Sequence, residues 1–135
     1  MKIINLFVAT SSFIILTGCA TTAGALKNEN VLNNFTIEKN YKTATEQLNE
    51  MLKVCSNYKI YNLHKEYYPT IEKSSISLSD TKDTFYYYNF DFEKINENKT
   101  KVISYTYQNN EYVRTRIRLV ENWLRNDSKD CGEGF

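Results

Sequence analysis

The sequence predicts an α+β fold: a small antiparallel β-meander sheet packed with two helices, in the order β-α-β-β-β-β-α. Three observations carry that expectation. Residues 41–55 and 111–126 place apolar side chains at helical spacing. The stretch between them alternates apolar and polar residues and is cut by short turn signals. Strands that follow one another across short turns pair antiparallel, and amphipathic helices bury their stripes on the sheet.

The opening strand is read in Asn34 to Asn40, where Phe35 and Ile37 alternate with polar residues. Asn40 or Thr43 can cap the helix that follows. Its apolar stripe is Tyr41, Ala44, Leu48, Met51, Leu52 and Cys55, and Lys42, Glu46, Asn49, Glu50 and Lys53 form the opposite face. Strands are expected from Tyr58 to about Tyr67, limited by Pro69, and from Lys73 to Ser79. The clearest strand is "FYYYNFDF". Simple alternation puts Tyr86, Tyr88, Phe90 and Phe92 on one face and Phe85, Tyr87, Asn89 and Asp91 on the other. "NENK" is a turn, and "TKVISYTY" is the partner strand, with Ile103, Tyr105 and Tyr107 on one face. The second helix carries Val113, Ile117, Val120 and Leu124 at helical spacing, with Trp123 beside them. "DSKDCGEGF" reads as a short tail.

The front of the chain has a different character. Lys2 is followed by an apolar stretch from Ile3 to Leu16 with Asn5, Thr10, Ser11 and Ser12 inside it. A charged start, a short apolar core and small residues before a break have the organisation of a secretory signal. A spanning helix needs roughly 20 predominantly apolar residues, and this run is shorter and polar in its middle. Residues 1–18 are therefore read as a signal peptide and 34–135 as one folded domain. Residues 19–33, rich in Ala, Thr and Asn without a periodic apolar face, are read as a flexible tether.

At the junction stand Leu16, Thr17, Gly18 and Cys19, which resemble the lipobox of bacterial lipoproteins. The resemblance implies that Cys19 carries diacylglycerol on its thiol and becomes the acylated first residue of the mature protein. One acyl chain binds a membrane only marginally, whereas several together anchor it stably. Ala20, where an Asp would signal retention in the inner membrane, implies the periplasmic face of the outer membrane. The order of elements, with a helix ending in Cys55 and a C-terminal Trp123 and Cys131, is also similar to small proteobacterial envelope lipoproteins. With Cys19 assigned to lipid and the chain in an oxidising compartment, Cys55 and Cys131 are left to pair as a disulfide.

Composition narrows the partners. Loss of residues 1–18 removes one charge, Lys2, and leaves equal numbers of acidic and basic residues. Nucleic acid needs clustered positive charge and is not expected. The implied contacts are the membrane, through the lipid on Cys19, and an envelope protein or peptidoglycan. Eleven tyrosines and seven phenylalanines favour strands and supply large contact area.

No motif for catalysis stands out, and no enzyme, cofactor or metal site is expected. His64 is the single histidine, and a surface or edge-strand place is its expected role. No phosphate loop is present, since Gly132 and Gly134 lie in the tail. Asp91 and Glu93 could be paired carboxylates, and a solvated strand end is the reading preferred. Arg114, Arg116 and Arg118 could bind phosphate or a carboxylate. At positions two apart on a helix they point in different directions, so a solvated face is expected.

The function expected is therefore a membrane-anchored envelope module that binds or supports a partner. The alternative is a small envelope enzyme inhibitor, of the lysozyme-inhibitor kind, or an envelope enzyme. Aromatic residues on both faces of "FYYYNF" imply either two covered sheet faces or one open face. Phe85 and Tyr87 are the candidate binding patch on an open face.

Overall fold

The computed structural model describes residues 22–27, 31–57 and 59–135. Residues 1–18, read as a signal peptide, and the Leu16–Cys19 motif lie outside the described residues. Five strands form one antiparallel sheet: β1 (Val31–Ile37), β2 (Tyr61–Tyr68), β3 (Lys73–Asp80), β4 (Tyr86–Asn96) and β5 (Lys99–Thr106). Their spatial order is β1-β5-β4-β3-β2. The last four make the expected meander, and β1 adds to the β5 edge. Among the described residues three α-helices accompany the sheet: α1 (Ala23–Lys27), α2 (Tyr41–Cys55) and α3 (Glu111–Asn126).

Helix α2 starts where Asn40 accepts a hydrogen bond from the Lys42 amide, and α3 starts where Asn110 accepts one from Val113. Lys39 ties the two helices together. Its Nζ donates to Gln47 Oε1, to the Leu124 carbonyl at the end of α3, and to Asp127. Both helices lie on one face of the sheet. Their stripes meet Phe35, Ile37, Ile76, Leu78, Tyr88, Phe90, Phe92 and Val102 in a single core. Full burial of such side chains contributes roughly 1.5–3 kcal/mol each.

Cys55 and Cys131 form a disulfide with Cα atoms 5.2 Å apart. The loop closed spans 76 residues, which in the chain-entropy model is worth roughly 4 kcal/mol. The segment read as a tail is part of the fold. Trp123 Nε1 donates to the Asp130 carbonyl, and the Phe135 amide donates to the carbonyl of Cys55. Phe135 is buried in the core. Gly134 has a φ of +76°, and a Cβ there would stand 2.8 Å from the Cys55 oxygen, so the return needs glycine.

Two further expectations are corrected. Residues 19–33 are not all tether: α1 packs on β4 and β5, Leu26 is fully buried, and β1 already begins at Val31. Alternation along β4 also breaks. Leu78 pairs with Tyr88 but Ser79 with Tyr86, so Tyr87 is the extra residue of a bulge. Tyr86 therefore turns away from Tyr88 and Phe90 to the second face, beside His64.

Candidate functional site

The bulge gathers an aromatic cluster at one end of the sheet. Tyr87 lies edge-to-face with Tyr61 of β2, with Phe85, and with Tyr107 just beyond β5, at centroid distances of 5.4, 4.9 and 5.2 Å. Phe85 and Tyr107 are 5.7 Å apart. Aromatic rings prefer this arrangement because the positive edge of one meets the negative face of the next. The cluster is continuous with the core through Tyr107, Tyr88 and Phe135. Phe85 and Tyr87 are thus brought together as expected, but as half-buried rings at the rim of the helix-covered layer. They do not lie on the opposite, open face, because the bulge shifts the alternation.

Burial pushes the Tyr88, Tyr61 and Tyr107 phenols up from their ordinary value, and the nearby Arg116 charge opposes that rise. Arg116 departs from the solvated face foreseen for the three arginines. It is only 6 % exposed, and its guanidinium carbon stacks 3.4 Å over the centroid of the Tyr112 ring. Arg114 and Arg118 stay in solvent and pair with Glu111. The spacing of Val113, Arg116, Val120 and Trp123 held the signal: Arg116 falls on the apolar stripe itself.

The second face is polar. Ser75 stands between Glu66 and Asp91 in the ladder, and Ser77 between His64 and Asn89. Helix α1 covers part of it. Lys27 pairs with Asp91 at 2.8 Å and lies over the Tyr105 ring. Between α1 and the sheet is a cavity of about 370 Å³ bordered by Thr22, Lys27, His64, Glu66, Ser77 and Tyr86. Asp91 and Glu93 do not form a carboxylate pair: Asp91 is held by Lys27 and Asn89, Glu93 by Lys73.

His64 has partners that sequence spacing does not reveal. Its Nε2 is 2.9 Å from Ser79 Oγ and 2.8 Å from Asp83 Oδ1. Ser79 also donates to Asp83 Oδ1 at 2.6 Å, and Asn62 to the same oxygen at 3.1 Å. These donors, Ser79 first, hold the Asp83 carboxyl below the usual range. A proton relay from serine to carboxylate uses both imidazole nitrogens, serine on Nε2 and carboxylate on Nδ1. Here both partners converge on one nitrogen, so the group pins the β3–β4 loop at Asp83, whose φ is +55°. Among the described residues no three His, Cys, Asp or Glu side chains converge as metal ligands. No helix among them is long and apolar enough to cross a membrane.

No protein-family model matches the chain, and no curated protein matches it.

Proposed function

We propose that the chain is a lipid-anchored protein of the bacterial cell envelope, held through Cys19 on the periplasmic face of the outer membrane, and that its domain is a non-enzymatic binding module. The observation that carries the anchor is the Leu16–Cys19 motif at the end of a short apolar core. The disulfide agrees with an oxidising compartment. Ala23, where α1 begins, is the fourth residue after Cys19. At about 3.5 Å per residue, the stretch between them spans at most about 14 Å, which keeps the domain close to the bilayer.

The binding surface in this reading is the rim of Phe85, Tyr87, Tyr61 and Tyr107. Tyrosine offers a rigid apolar body and a polar tip, which suits a surface that meets protein or peptidoglycan.

Fractionation of cells grown with labelled palmitate tests the proposal. Wild type is expected to carry label in the membrane fraction, and Cys19→Ser to carry none and to leave the lipid-modified pool. Absence of label from wild type overturns the anchor.

A further inference from the structure

We propose that the cavity under α1 binds a small primary amine, with the Glu66 carboxylate as counter-ion to its ammonium group and Ser77 Oγ as a hydrogen-bond acceptor. The cavity measures about 370 Å³, and Glu66, Tyr68, Ser75, Ser77 and Tyr86 line it opposite α1. That volume falls in the range of small-ligand sites, roughly 300–1,000 Å³. The site lies on the face of the sheet away from the Phe85–Tyr87 rim and does not depend on the lipid anchor.

The serines of β3 point toward α1. Ser75 Oγ donates to Asn89, and Ser79 Oγ meets His64, which places both side chains on the second face. Ser77 stands between them, and alternation puts its side chain on that face too. Ile76 and Leu78 take the core side. Unlike its two neighbours, Ser77 makes no side-chain hydrogen bond among the described residues, although it is only 5 % exposed. A buried hydroxyl is costly to leave unpaired, and a polar group in the cavity would satisfy it.

The charge of the ligand follows from the ion pairs around it. Lys27 is met by Asp91 at 2.8 Å, and His64 faces Asp83. Glu66 has no cation: among the described residues its carboxylate takes one bond, from the Tyr68 hydroxyl. The charges that act on the two lining phenols are carboxylates as well. The bond to Glu66, then burial, push the Tyr68 phenol up to about 12. Burial, then Asp83, Glu66 and Asp80, push the Tyr86 phenol up. Such a field repels an anion and attracts a cation. One free carboxylate suits a monovalent cation, since a divalent metal ion calls for several oxygen ligands. An exposed carboxylate alone would hold an amine only weakly. Ser77 supplies a further acceptor, and the tyrosine rings supply apolar surface for the carbon chain and π-electrons that attract ammonium.

The test uses the full chain, ¹⁵N-labelled, in nonionic detergent micelles, titrated at neutral pH with n-butylammonium chloride. Sodium chloride at matched ionic strength, 1-butanol and glucose run in parallel. Butylammonium is expected to give saturable shifts of the Gly24, Ser75 and Ser77 amides, with Tyr107 unmoved. Glu66→Gln, an exposed substitution that keeps the carbonyl facing Tyr68, should weaken binding by about tenfold or more, and Ser77→Ala by about threefold. Glu50→Gln, on α2, should leave it unchanged. Absence of saturable shifts at Gly24, Ser75 and Ser77, a response that sodium chloride reproduces, or binding that survives in Glu66→Gln overturns the site. Butanol or glucose binding as tightly as butylammonium overturns the ammonium assignment.

Discussion

The two faces of the sheet are built from different materials. On one, Ile76, Leu78, Tyr88, Phe90, Phe92 and Val102 lie under α2 and α3. On the other, Ser75, Ser77, Asn89 and Asp91 form polar rows under the short α1. Edge strand β2 shows the contrast residue by residue. Facing the long helices, Lys65 and Tyr67 both donate to Glu46 of α2. Facing the other way, Tyr68 bonds only to Glu66 of its own strand. On the first face these bonds fasten β2 to a long helix; on the second, the cross-element links are the Lys27–Asp91 pair and the His64–Ser79–Asp83 group. The apolar core lies on the first face alone, with both long helices.

That difference predicts unequal costs. Phe90→Ala should destabilise by about 4 kcal/mol, the range for truncating a fully buried aromatic. Leu26→Ala, the one fully buried apolar residue of α1, should cost about 2 kcal/mol. Denaturant midpoints of the two variants give the comparison directly. Equal losses would mean that α1 is as much part of the core as α2 and α3.

A smaller effect sharpens the contrast at β2. The Lys65 ammonium, then the Tyr67 hydroxyl, hold the Glu46 carboxyl below its usual 4.5. A carboxyl lowered on folding adds stability above its unfolded value, and that stability is lost as pH falls through the folded one. Wild type should therefore weaken more steeply than Glu46→Gln below pH 4.5. Parallel slopes in acid unfolding would show that the Glu46 cluster does not fasten β2 to α2.

Much of the covered face was legible in the sequence. The stripe of α2 from Tyr41 to Cys55 and that of α3 from Val113 to Leu124 are long enough for periodicity to speak, and both are buried as read. Cysteine count led to the Cys55–Cys131 bond. What escaped depends on distant partners. A five-residue helix such as α1 has too few turns to show a period. The bulge at Tyr87 arises from pairing with β3, and alternation within β4 cannot register it. The burial of Arg116 needed its place on the stripe to outweigh its charge, and the meeting of His64 with Ser79 and Asp83 needed the loop geometry.

Tyr87 and Tyr88 stand side by side in the chain and separate the two roles assigned here, surface and core. Tyr88 is 1 % exposed, whereas Tyr87 is half-buried among Phe85, Tyr61 and Tyr107. The most direct test of the binding rim is urea unfolding of Tyr87→Ala and Tyr88→Ala, together with crosslinked capture from intact cells. Tyr88→Ala should lose about 3 kcal/mol or more, and Tyr87→Ala about 1 kcal/mol while losing its crosslinked partner. A loss near 3 kcal/mol in Tyr87→Ala, or capture that survives the substitution, would contradict the account.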